Sequence, residues 1–110
     1  MFDLSDNFFV GNIPLSLGKL VKLIFVNISH NQLTGPIPFG LVNLPQLDAL
    51  DLNSSNQISS PVTFMHTDFP QLYSLDLSAN KIHGQISNTI FYQESLEFLD
   101  LSENYINGIA

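Results

Sequence analysis

The chain has 110 residues, 45% of them hydrophobic, and a net charge of −7 from ten acidic residues against three Lys and no Arg. This hydrophobic content excludes a disordered chain, and the acidic balance argues against nucleic acid or an anionic membrane as partner and favours a basic one. The absence of cysteine excludes a disulfide framework and a thiolate metal site.

An asparagine recurs at Asn7, Asn31, Asn56, Asn80 and Asn104, in steps of 24, 25, 24 and 24 residues. A fixed period in this range is the signature of a solenoid. Five units follow, over about 1–14, 15–38, 39–62, 63–86 and 87–110, with no linker between them, so they form one domain. The first is partial, with Leu4, Asn7, Phe9, Gly11, Ile13 and Pro14. The second is the fullest: Leu20, Leu23, Val26, Ile28, Asn31, Leu33, Gly35, Ile37 and Pro38. The third has Leu44, Leu47, Leu50, Leu52, Asn56, Ile58 and Val62; Ser60 stands where the others have Gly, and its one extra residue is expected within Asn53-Ser54-Ser55. The fourth runs from Phe69 to Ile86, and the fifth has Leu96, Leu99, Leu101, Asn104, Ile106 and Gly108.

Each Leu-x-Leu alternates with the period of a strand that has one buried face. Units this short leave room only for parallel strands, each returned over the far side, with turns marked by Gly and Pro. The Asn amide both donates and accepts, so the five asparagines are expected to form a structural ladder that satisfies backbone groups inside the stack.

The pattern Leu-x-x-Leu-x-Leu-x-x-Asn-x-Leu-x-Gly-x-Ile-Pro, nearly complete from Leu23 to Pro38, resembles the plant-type extracellular leucine-rich repeat, and the likeness covers essentially the whole chain. The resemblance implies an α/β solenoid: a right-handed, curved stack of about five repeats, with a concave parallel β-sheet and convex 3₁₀ or short-strand returns. Members of this family carry terminal caps, which this sequence lacks.

Residues between the leucines point out of the concave sheet and stack in columns about 4.8 Å apart. One column is Asp3, Asn27, Asp51, Asp76, Asp100; the next is Ser5, Ser29, Asn53, Ser78, Ser102; a third is Asp6, His30, Ser54, Ala79, Glu103. On the other side lie Ile24, Asp48, Tyr73, Glu97 and then Phe25, Ala49, Ser74, Phe98. Eight of the ten acidic residues fall in these columns, leaving Asp68 and Glu94 elsewhere, and no Lys does. A face of one sign attracts a basic ligand; against this, Leu-Asp-Leu-Ser is the ordinary sequence of the repeat, so the Asp column is also readable as scaffold. Exposed aromatics among charges are what binding patches favour. The candidate ligand-binding residues are therefore Ile24, Phe25, His30, Asp48, Asp51, Tyr73, Asp76, Glu97, Phe98, Asp100 and Glu103.

Other chemistries find less support. Asp51, Asp76 and Asp100 could supply oxygens to calcium, but a flat sheet has no loop to close a six- to eight-ligand shell. His30, His66 and His83 share no face with an orienting carboxylate and a nucleophile, so no enzyme activity and no cofactor is expected. Asn27-Ile-Ser29 and Asn53-Ser-Ser55 are sequons, making Asn27 and Asn53 candidate glycosylation sites in a secreted parent.

The N-terminus is acidic with no apolar core, and the apolar stretch 20–28 is interrupted by Lys22 and Asn27, so the chain itself carries neither a signal peptide nor a span. The resemblance implies a segment of a plant receptor-like protein or receptor-like kinase at the extracellular face of the plasma membrane. It would bind a protein or peptide in defence or developmental signalling, with a co-receptor kinase as second partner. The alternatives are a fragment of a secreted polygalacturonase-inhibitor-like protein, or a truncated, non-functional gene product.

Overall fold

The computed structural model describes residues 1–61 and 71–109, and for Phe39 the backbone. Val62, His66, Asp68 and Phe69, singled out in the sequence, lie outside the described residues. A five-stranded parallel sheet is built from β1 (Phe2–Asp3), β3 (Phe25–Asn27), β5 (Ala49–Asp51), β6 (Ser74–Asp76) and β8 (Phe98–Asp100), in that spatial order. Val26 pairs with Leu50, Leu50 with Leu75 and Leu75 with Leu99, so the leucine positions form one column. These strands form where the sequence alternates, because one side of each must leave water. Val26, Leu50, Leu52, Leu75 and Leu77 are all at or below 1% exposure, and each such side chain contributes about 1.5–3 kcal/mol by burial.

After each strand the chain turns sharply. Asp6, His30, Ser54, Ala79 and Glu103 all have φ between 55° and 59°, the left-handed region that costs most side chains energy. The turn is held open by the asparagine that follows. Asn80 Nδ2 donates to the carbonyls of Leu77 at 3.2 Å and Ser78 at 3.1 Å, and to that of Leu52 in the preceding repeat at 2.9 Å. Its Oδ1 accepts from the Ile58 N–H at 3.3 Å. Asn31 and Asn104 repeat this pattern, reaching back to Leu4 and Phe9 and to Leu77 and Ile82 respectively. Asn7, in the first repeat, donates only to Leu4 and Ser5 of its own turn.

The third repeat departs from the expected ladder. The sheet register aligns Asp51 with Asp76, and the Ser54 N–H donates to the Ser78 carbonyl, which places Ser55 opposite Asn80. Ser55 is 3% exposed, whereas Asn56 is exposed and has φ 62°. The extra residue is thus Asn56 and not one of Asn53-Ser54-Ser55, and Asn56 is not a rung of the ladder. A side chain can enter the stack only from the position that the sheet register dictates, and the sheet wins over the spacing of the asparagines.

Beyond the turn, short strands pair along the flank: β2 (Val10–Asn12) with β4 (Gln32–Thr34), and β7 (His83–Ile86) with β9 (Tyr105–Ile109). Here Gly11 pairs with Leu33 and Gly84 with Ile106, a step of 22 residues against 24, or 25 from β5 to β6, in the main sheet. Among the described residues the returns are 3₁₀ turns at Leu15–Lys19 and Asn88–Tyr92 and an α-turn, α1 (Phe39–Val42). Pro14 and Pro38 precede the first return and α1. Where the fourth repeat lacks the proline, Ser87 caps instead, its Oγ accepting from the Thr89 N–H at 3.3 Å. Gly18 and Gly40 bring the first two returns together: a Cβ on Gly18 would lie 3.3 Å from the Gly40 carbonyl carbon. The concave parallel sheet, the 3₁₀ returns and the repeat stack are those expected.

Candidate functional site: the concave face

The sheet register sets the outward columns. Phe25 pairs with Ala49, Ala49 with Ser74 and Ser74 with Phe98. Two exposed rings, Phe25 and Phe98, therefore stand at the ends of a row whose middle is small: Ala49 is buried and Ser74 half-buried. The result is a shallow trough three strand spacings long, about 14 Å. Beside it runs Ile24, Asp48, Tyr73 and Glu97, joined through the backbone: the Asp48 N–H donates to the Ile24 carbonyl, Tyr73 to Asp48 and Glu97 to Tyr73, each at 2.8 Å. Ile24 and Tyr73 are exposed, and the Asp48 carboxylate accepts from Gln71 Nε2 at 2.7 Å. Gln71 was not foreseen, because its partner lies 23 residues away and outside the leucine pattern.

The Asp column carries structural work. In each repeat the first-column side chain accepts from the residue two positions on: Asp76 Oδ1 from the Ser78 N–H and hydroxyl at 3.0 and 2.7 Å, and Asp100 Oδ1 from those of Ser102 at 3.0 and 2.6 Å. Asn27 does the same for Ser29, and Asp3 for Ser5. Because an amide serves as well as a carboxylate, charge is not what the turn requires. The charge is left for the surface.

Electrostatics differ along the column. Burial pushes the Asp51 carboxyl above its ordinary value, helped by the like charge of Asp76 and opposed by the Asn53 hydrogen bonds. Asp3 and Asp100 are held below theirs by the hydroxyl and then the N–H of Ser5 and Ser102. Asn53 Nδ2 donates to Asp51 Oδ1 at 2.6 Å and lies 3.4 Å from Asp76 Oδ2, bridging two carboxylates. Asn27 ends β3 and Asn53 follows β5, so both sequon asparagines sit at the rim of the sheet.

His30 and Glu103 stand apart from the others. Both are exposed and occupy the left-handed turn that leaves the sheet, so they belong to the flank. The face that remains, Ile24, Phe25, Asp48, Asp51, Tyr73, Asp76, Glu97, Phe98 and Asp100, combines carboxylates with exposed rings. Among the described residues no group of three or more His, Asp or Glu side chains is placed to hold a metal ion.

Comparison with known proteins fits this geometry. The family described as Leucine Rich Repeat matches residues 1–20, 22–44, 71–92 and 95–110. Receptor-like protein 18 of Arabidopsis thaliana is 38% identical over 106 residues, covering 96% of this chain and 10% of that protein. Receptor-like protein 35 of the same plant is 39% identical over 106 residues, covering 96% of this chain and 8% of its own length. The chain thus spans about a tenth of the relatives it matches. Among solved structures, the ectodomain of the Arabidopsis receptor kinase SOBIR1 superposes with a TM-score of 0.85 at 31% identity, over 99% of this chain and 60% of that one. The Arabidopsis receptor kinase HAESA, in complex with the peptide hormone IDA and the co-receptor SERK1, gives 0.80 at 30% identity, over 96% of this chain and 17% of that one. With its sheet, its turns and these relatives in agreement, the chain belongs to the leucine-rich repeat family, and it is homologous to a segment of Arabidopsis receptor-like proteins and receptor-kinase ectodomains.

Proposed function

We propose that this segment binds a basic peptide or a basic protein surface on its concave face, as part of a cell-surface receptor-like protein or receptor-like kinase in defence or developmental signalling. The observation that carries the reading is the trough between Phe25 and Phe98 lined by Asp48, Asp51, Asp76, Glu97 and Asp100. Aromatic side chains supply contact area and carboxylates steer a cationic partner. HAESA, which shares the fold, takes a peptide hormone and a co-receptor, and that precedent supports a peptide ligand and a co-receptor kinase here. The ectodomains among the same relatives support an extracellular site; no helix among the described residues is long and apolar enough to cross a membrane. Glycans on Asn27 or Asn53 would stand at the rim of the docking face.

Titration calorimetry of the chain against a panel of Lys- and Arg-rich peptides tests this. Binding is expected to weaken with salt and to fall at least about tenfold in Phe98→Ala and in Asp76→Asn. Panel peptides that fail to bind, or that bind equally well to both variants, would remove the concave face as the site.

A further inference from the structure

The broken rung of the ladder opens onto a second surface, independent of the concave face. Asn31, Asn80 and Asn104 each fill the space behind their turn with an amide that donates to one repeat and accepts from it. By register, the equivalent groups for the third repeat are the Ile28 carbonyl and the Leu33 N–H. The side chain offered to them is Ser55, too short to bridge both. Ser55 is 3% exposed and its Oγ has no hydrogen-bond partner among the described residues. A buried hydroxyl without a partner is uncommon in a folded protein and marks a place where a polar group from outside is missing.

Ser55 is also one of the residues that line an open groove of about 760 Å³ on the flank of the first three repeats, although its hydroxyl is itself buried. The residues that line the groove include the amide-bearing Asn7, Gln32, Asn56 and Gln57, the imidazole of His30, and Phe8, which is 87% exposed. None of the described residues that line it is Asp, Glu or Lys. The extra residue of the third repeat accounts for the arrangement: it leaves Ser55 in the stack and turns the Asn56 amide out to the groove.

We propose that this groove is a binding site for a neutral, hydroxyl-bearing ring ligand, the chemistry of a pyranose sugar. Carboxamides both donate and accept, which matches vicinal hydroxyls that do the same. With His30 the one ionisable side chain among the described residues that line it, the site gives a neutral ligand no carboxylate or ammonium group to bury. The exposed Phe8 ring and the neighbouring Val10 offer an apolar surface to the C–H face of a sugar ring, while the amides fix its orientation.

The test uses the whole chain with cellotetraose and mannotetraose as probes, read by saturation-transfer NMR and calorimetry. One of the two is expected to bind, with affinity lowered at least tenfold by Phe8→Ala and by Gln57→Ala and unchanged by Asp76→Asn. A second variant, Ser55→Asn combined with deletion of Asn56, restores the 24-residue step. It is expected to melt at a higher temperature than the parent chain and to lose the sugar, which separates loss of the site from loss of the fold. The proposal is overturned if neither sugar shows transfer, if transfer survives Phe8→Ala, or if the restored ladder binds sugar as well as before. Tighter binding of the peptide Gln-Asn-Gln than of either sugar would equally overturn it.

Discussion

Replacing Asn80 by alanine tests the ladder most directly. The side chain is 4% exposed and makes four hydrogen bonds. Two of its partners keep another bond after truncation: the Leu77 carbonyl accepts from Asn104 Nδ2, and the Ser78 carbonyl from the Ser54 N–H. The other two, the Leu52 carbonyl and the Ile58 N–H, belong to residues that are 0% exposed. Each buried group left without a partner costs about 1–3 kcal/mol, so the variant should lose about 2–6 kcal/mol. Against a total stability of about 5–15 kcal/mol, the upper end of that loss unfolds the chain. In a chain of this size the expected fall in melting temperature is roughly 10–30 °C. Circular dichroism gives the melt, and amide exchange at Ile58 reports whether the loss is local. Asn56→Gly is the control, since glycine tolerates φ 62° and Asn56 is exposed. It should stay within about 0.5 kcal/mol of the parent. An Asn80→Ala protein that melts within a degree or two of the parent, or an Asn56→Gly that falls as far, would refute the assignment of rungs.

Five further outcomes follow from the same geometry. Gly35 has φ +78°, and a Cβ there would run into the Asn12 side chain, so Gly35→Ala should cost about 1–2 kcal/mol. Gly40→Ala, where the nearest atom would be 3.7 Å away, should be neutral or stabilising in chemical denaturation. Truncating Ser55 to alanine removes a hydroxyl that has no partner among the described residues and should leave stability unchanged or raise it by up to about 1 kcal/mol; a large loss in urea would refute this. The raised pKa of Asp51 means that the folded chain disfavours its ionised form, so stability is lost as pH rises through the raised value. Asp51→Asn, which keeps the acceptor as Asn27 does, should therefore gain over the parent at pH 7 and not at pH 3. For Asp100 the sign is opposite: its lowered pKa contributes stability that disappears as pH falls through the folded value, and Ser102→Ala should weaken that contribution.

Most of the architecture was legible because it is written five times. Alternating leucines, a turn asparagine and a Gly or Pro return each reduce to local chemistry, and repetition removes the ambiguity of a single copy. The columns of the concave face were readable for the same reason, since register follows from period. The third repeat was misread because spacing alone cannot say which of two neighbouring polar residues enters the stack. Ser55 and Asn56 compete for one position, and the choice is made by hydrogen bonds from the strands on either side, 22 to 24 residues distant. His30 and Glu103 were assigned to the sheet face because a column in sequence continues past the strand, whereas the backbone bends away at the left-handed residue. The groove below Phe8 had one sequence signal, the single step of 25, and its neutrality could not be seen until three repeats were brought side by side.

The meeting of Gly18 and Gly40 has a mechanical meaning. On the sheet side, hydrogen bonds fix neighbouring repeats at about 4.8 Å, so the front of the stack behaves as an inextensible cord. The back has no such constraint, and the separation of successive returns determines how far the cord must bend. With no side chain between them, the first two returns close to backbone contact, and that end of the arc is held flatter than bulkier residues would leave it. A side chain at residue 18 would act as a spacer on the outer rim, tightening the arc and turning the row of columns inward. Two hydrogen atoms on the convex side thus help to set the width of whatever the concave side can embrace.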